Sequence, residues 1–203
     1  KVINMSGRII LASGSEIRAT LLRNAGVAVE VLVPRLDEDA IRAAMLAEGA
    51  SPRDLADALA ENKARKIGLK HPDALVIGCD QILDFGGNCL SKPADQQDAR
   101  AQLRAMSGQR HSLLSAVVIW HEGASVWRHI GQARLQMREI SEPYIDDYVE
   151  RNWDSIRHAV GCYKLEEEGV RLFSRIDGDY FTVLGLPLVD LLGYLTVRGV
   201  LPG

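Results

Sequence analysis

The sequence predicts an α/β fold on three observations. A short apolar run, Ile9-Ile10-Leu11-Ala12, passes through Ser13-Gly14-Ser15 directly into a helical pattern. A second apolar run, Ala74-Leu75-Val76-Ile77-Gly78-Cys79-Asp80, follows a long helical segment. Two extended stretches, 111–121 and 124–137, are joined by a turn at Glu122-Gly123.

In chain order, the first helix carries Leu21, Leu22 and Ala25 on one face and stops at Gly26. Ser15 is its expected N-cap, with a hydroxyl able to accept from a free N–H of the first turn. Such a junction aims open N–H groups and the positive end of a helix dipole at one spot, which favours an anion. Arg18, in the first turn, can add a bidentate grip on phosphate. An ordinary βα turn is the competing reading.

Residues 27–33 read as a second strand, closed by Pro34. Asp37-Glu38-Asp39 opens a helix through Glu48, with its acids at the end the dipole prefers. Ser51-Pro52, a cap followed by proline, starts a helix reaching Lys70. The 74–80 strand places Asp80 at its carboxyl end, where ligands of open α/β sheets sit. Residues 82–90 read as a hairpin turning at Gly86-Gly87-Asn88, which delivers Ser91-Lys92-Pro93. A helix is expected over 95–106 and another from Ser141-Glu142-Pro143 through Asn152. The segment 161–185 reads as irregular, and a last helix runs from Pro187 to Arg198-Gly199.

A chain of 203 residues suits one domain, or a domain with a lobe, and can bury a sizeable core. Lys1 is not a natural start, so 1–4 read as an added remnant and the domain as 5–203, beginning at Met5. A net charge of -3 argues against broad nucleic-acid binding, which needs a basic face. Cys79, Cys89 and Cys162 are odd in number and form no CxxC pair, so they read as buried thiols of a reducing compartment rather than zinc ligands. No apolar run has the length of a membrane span and no signal peptide is apparent, so a cytoplasmic location without membrane contact is expected.

Phosphate-binding and hydrolase motifs such as GxxxxGK[ST], GxGxxG, HExxH and GxSxG are absent, and the histidines are dispersed. Charged residues at element boundaries stand out instead. Glu38 opens a helix and Asp80 closes a strand, while Arg18, Lys63 and Lys92 come from three other elements. Carboxylates and cations converging beyond one sheet edge are what a magnesium–phosphate site requires. Each also has a local role on offer: a helix dipole for Glu38, a solvated face for Lys63, a turn cap for Asp80. Periodicity does not show that they meet.

At these residues the chain resembles the Maf family, septum-formation-inhibitor-like nucleoside triphosphate pyrophosphatases. The family opening L-A-S-x-S-P-R-R-x-x-L-L reads here Leu11-Ala12-Ser13-Gly14-Ser15-Glu16-Ile17-Arg18-Ala19-Thr20-Leu21-Leu22. Asp37-Glu38, Asn62-Lys63-Ala64-Arg65, Gly78-Cys79-Asp80-Gln81, Ser91-Lys92-Pro93 and Met106-Ser107-Gly108-Gln109-Arg110-His111 match later motifs in order. So do 161–166 and 176–188, and the resemblance spans nearly the whole chain.

The resemblance implies a mixed twisted sheet flanked by helices, two lobes with a central nucleotide cleft, and often a homodimer. It implies a nucleoside triphosphate substrate, a divalent cation such as Mg²⁺, and hydrolysis to the monophosphate and pyrophosphate. Carried over by position, Asp80 and Glu38 are the catalytic and metal-binding acids. Ser13, Ser15, Arg18, Lys63 and Lys92 hold the triphosphate. The substrate-distinguishing positions are Ile17, Gln81 and Glu166; the last two look like the 7-methyl-GTP branch rather than the dTTP/UTP branch. A carboxylate at Glu166 suits a positively charged methylated guanine, although it can equally pair with Lys164. Glu16-Ile17 replaces the usual Pro-Arg and removes one expected cation. The alternative function is a nucleotide-binding regulator of cell division with little catalysis.

Overall fold

The computed structural model describes residues 7–203; the expected remnant at 1–4 and the start at Met5 lie outside the described residues. A seven-stranded mixed sheet runs in the order β2–β1–β3–β5–β6–β7, with β4 pairing β3. Its strands are β1 (Ile9–Ala12), β2 (Glu30–Val31), β3 (Leu75–Phe85), β4 (Asn88–Leu90), β5 (Arg110–His121), β6 (Ala124–Met137) and β7 (Phe173–Asp177). β2, β1 and the first half of β3 are parallel, and the remaining pairs are antiparallel. Helices cover both faces, so the expected mixed, helix-flanked α/β sheet is what the chain forms.

On one face lie α1 (Glu16–Asn24), α4 (Gln96–Met106), α5 (Glu142–Ile156), α6 (Tyr180–Leu184) and α7 (Leu188–Val197), packed on Leu11, Ile77, Leu83, Val117 and Leu135. The other face carries α3 (Pro52–Gly68), with Ile41 and Met45 of α2 (Glu38–Ala47) packed beside it. Ile10, Val76, Ile82 and Val118 point that way, the alternation a pleated strand imposes. Ser51 caps α3 as expected, and Asp37, Asp95 and Ser141 likewise accept a backbone N–H three residues on at the expected helix starts.

α3 lies unusually close to the sheet. Ala56, Ala60 and Ala64 form its inner stripe, and all are fully buried. Opposite them stands Gly78, where an added Cβ would run into the Ala60 carbonyl and lie 2.7 Å from the Ala64 nitrogen. Small side chains on both partners permit this approach.

Three expectations are corrected. Asp80 does not end a strand: β3 continues through the expected hairpin's first arm to Phe85, and the chain turns at Gly86 and Gly87, both with positive φ. The second strand shrinks to Glu30–Val31, which pairs with Ile10 and Leu11 of β1 at the edge of the sheet among the described residues. The stretch 161–185 is not irregular: it holds a 3-10 turn (Glu168–Leu172), β7 and α6. Among the described residues, no helix is long and apolar enough to cross a membrane.

Candidate active site

The site forms where β1 stops short of β3. Ala12 is the last residue of β1 and pairs Gly78, while β4 joins the same edge of β3 only at Leu83. The β3 edge from Cys79 to Ile82 therefore has no strand beside it on that side. Asp80 sits in this notch, beyond the carboxyl end of β1, so the ligand-site rule for α/β sheets holds through the neighbouring strand.

Asp80 points to the α3 face, and the close approach of α3 brings Lys63 to it. The Lys63 ammonium donates to Asp80 Oδ1 at 2.9 Å and to the Cys79 carbonyl at 3.4 Å, and lies 2.7 Å from Glu38 Oε1. Glu38, in the first turn of α2, is half exposed, whereas the Asp80 and Lys63 side chains are each 12% exposed. Three elements thus deliver two carboxylates to one ammonium. Burial raises the proton affinity of Asp80 above its ordinary value, and Glu38 adds to the rise. The charges of Lys63 and Arg18 oppose it.

Asp80 Oδ2 is buried and has no hydrogen-bond partner. A buried carboxylate oxygen with nothing to accept is costly unless a cation or donor reaches it. Two hard oxygen donors, one with this open acceptor, fit a divalent cation of the magnesium type. Among the described residues, no group of three or more His, Cys, Asp or Glu side chains is placed to hold a metal by itself.

Arg18, Ser13 and Gln81 belong to the other face. Arg18 is 9% exposed; its Nε donates to the Gly185 carbonyl at 2.8 Å and its Nη1 to Ser13 Oγ at 3.1 Å. Ser13 Oγ also accepts the Ser15 N–H at 3.2 Å. Ser15 holds the N-cap position, but its hydroxyl makes no capping bond, contrary to expectation. The first-turn N–H groups of α1 are consequently left without a side-chain cap. Gln81, next to Asp80 but on the opposite side of the pleat, donates to Ser115 Oγ, the Thr182 carbonyl and the Val183 carbonyl at 3.1, 3.2 and 3.0 Å.

The remaining candidates stand apart. Ile17 is half buried and packs against the α1-side core, which explains an apolar residue there. Lys92 is exposed, in no ion pair among the described residues; antiparallel pairing of β4 carries its chain back toward the notch. Glu166 is exposed as well, and Lys164 reaches Glu167 at 4.0 Å rather than Glu166.

Sequence reasoning missed the carbonyls of Cys79, Thr182, Val183 and Gly185, since main-chain acceptors carry no residue signature. It also passed over Gly78 as a packing device, although its place two residues before Asp80 was a usable signal.

Comparison with known proteins places these features in context. A family model described as Maf-like protein matches residues 8–197. A nucleoside triphosphate pyrophosphatase of Ruegeria pomeroyi is 64% identical over 197 residues, covering 97% of this chain and 99% of that protein. One from Caulobacter vibrioides is 49% identical over 193 residues, covering 95% and 96% respectively. Among solved structures, a HAM1 protein from Coxiella burnetii aligns over 66% of this chain and 74% of its own, at 13% identity and a TM-score of 0.43.

Proposed function

Because this chain belongs to the Maf-like protein family, we propose that it is a nucleoside triphosphate pyrophosphatase, a hydrolase of acid anhydrides acting between the α and β phosphates. The observation that carries this reading is the Glu38–Lys63–Asp80 cluster, with 2.7 and 2.9 Å contacts, in a notch at the end of β1.

Asp80 is suited to orient a water molecule and accept its proton, since burial has raised its proton affinity. The water oxygen bonds to the α phosphorus as the bond to the bridging oxygen breaks, and pyrophosphate leaves with that electron pair. Lys63, Arg18 and Lys92 neutralise the growing charge. Arg18 keeps Nη2 for phosphate, because its other two nitrogens are tied to Gly185 and Ser13. Ser13, Ser15 and the uncapped N–H groups of α1 form the cradle. Glu38 and Asp80 would hold a divalent cation, Mg²⁺ by the chemistry of its donors, which supplies Lewis-acid polarisation of phosphate and water.

For the base, the reading is a modified or purine nucleotide of the 7-methyl-GTP kind, on the resemblance at Gln81 and Glu166. The Gln81 amide is tied to α6, so its influence on the base runs through that helix. A cytosolic location and a homodimer complete the reading.

The experiment is a panel of 7-methyl-GTP, GTP, dTTP and UTP with Mg²⁺, scored for pyrophosphate. Pyrophosphate and monophosphate should appear together, fastest from 7-methyl-GTP. Binding without release from any of them would replace the enzyme with a nucleotide-binding regulator, and faster release from dTTP or UTP would overturn the base assignment alone.

A further inference from the structure

The Lys63 ammonium has three N–H donors and meets three acceptors: Glu38 Oε1, Asp80 Oδ1 and the Cys79 carbonyl, at 2.7, 2.9 and 3.4 Å. It is thereby the cation that makes two neighbouring carboxylates tolerable in a largely buried notch. The same two carboxylates are the hard oxygen donors available to a divalent cation here. A small dication bonds carboxylate oxygen at about 2.0–2.1 Å. With Asp80 Oδ1 taken by the ammonium and Oδ2 of the same carboxylate open, a dication held by Asp80 and Glu38 would lie close beside the ammonium, where the like charges repel.

We propose that Lys63 holds the place of the divalent cation between Glu38 and Asp80 in the nucleotide-free protein, and that metal entry displaces its ammonium from the carboxylates. The proposal rests on the metal assignment made under the proposed function.

The fold decides which part moves. Ala60, Ala64 and Gly78 hold the α3 backbone tightly against β3, so a retreat of α3 to separate the charges would break that packing. The flexible four-carbon stem of Lys63 can swing, as an arginine fork or a short side chain could not. Its ammonium then becomes a free cation beside the incoming phosphates. The exchange also makes metal loading weak until a polyphosphate arrives to receive the released charge. Lys63 is in this sense a positioning residue for the metal as well as a ligand for phosphate.

The test is direct Mn²⁺ titration of the nucleotide-free full chain, read by the electron paramagnetic resonance signal of free Mn²⁺. Lys63→Met and Lys63→Gln should bind Mn²⁺ about tenfold or more tightly than the wild type, since one competing positive charge is gone. Glu38→Gln, which removes a ligand oxygen, should bind more weakly than the wild type. Thermal melting establishes that each variant is folded; Lys63→Gln keeps an amide donor for Asp80 and carries the test if Lys63→Met is unfolded. Equal or weaker Mn²⁺ binding by folded Lys63 variants, with binding by the wild type retained, overturns the exchange and leaves the metal assignment standing. No Mn²⁺ binding by wild type or Lys63 variants overturns both. Tighter binding that Glu38→Gln does not affect puts the ion elsewhere and also overturns the exchange.

Discussion

Gln81 Nε2 lies 3.0 Å from the Val183 carbonyl, on the face of the sheet opposite Asp80. Consecutive residues of β3 thus serve two layers: Asp80 faces α3 and the cation cluster, while Gln81 holds α6. α6 in turn is capped by Gly185, whose carbonyl anchors Arg18. Ser115 Oγ donates to the Thr182 carbonyl at 2.7 Å and makes the second tie to the same helix. Gln81→Thr should therefore destabilise the fold by about 1–3 kcal/mol, the range for leaving buried acceptors unmet. Ser115→Ala should shift the ratio of turnover between 7-methyl-GTP and dTTP in the same direction as Gln81→Thr, because both act through α6. Urea unfolding and paired kinetics check this; a base preference moved by Gln81→Thr alone would mean direct contact with the base.

Gly78 is the residue that lets α3 approach β3. Gly78→Ala forces a methyl into the Ala60 carbonyl and against the Ala64 nitrogen. The helix must move away, costing about 1–3 kcal/mol of stability as overpacking does. Lys63 moves with it, so activity should fall although no charged group has been changed. A variant as stable and active as the wild type would show that the close approach is not what positions Lys63.

His111 is 2% exposed, in contact with Tyr163 and Phe173, and its Nε2 lies 2.8 Å from the Tyr163 hydroxyl. Burial lowers its proton affinity, from the ordinary 6.5 to about 4. The unfolded chain therefore binds a proton that the folded chain refuses between these values, and stability falls as pH drops from 6.5 to about 4. The shift corresponds to about 3 kcal/mol, lost in full below the folded value. Chemical unfolding across this window should show a shallower pH slope for His111→Gln than for the wild type; parallel slopes would remove His111 from the acid response.

The helices were legible because their caps are local: Asp37, Ser51, Asp95 and Ser141 signal starts through their own side chains. The end assigned at Asp80 was a misreading of chemistry as punctuation. Asp80-Gln81 interrupts an apolar run, which looks like a strand terminus, yet both residues are polar because each has partners on its own face. β7 and α6 were hidden for a different reason. β7 is mostly exposed and pairs with β6, far away in sequence, while α6 is only five residues long and too short to show a period. Of the candidate residues, Glu38, Lys63 and Asp80 converge, as do Ser13 and Arg18. That convergence depends on Gly78 and the alanine stripe of α3, whose effect is a distance and not a periodicity.

On the proposed mechanism Asp80 serves the chemistry rather than the binding of the nucleotide. Asp80→Asn keeps the shape of the side chain and removes its charge, so it separates the two roles. The measurement is pyrophosphate release from 7-methyl-GTP with Mg²⁺, alongside equilibrium binding of the same nucleotide. Turnover should fall by about a thousandfold or more, the scale for losing a general base together with a metal-binding carboxylate, while binding persists. Near-normal pyrophosphate release by Asp80→Asn would remove Asp80 from the chemistry.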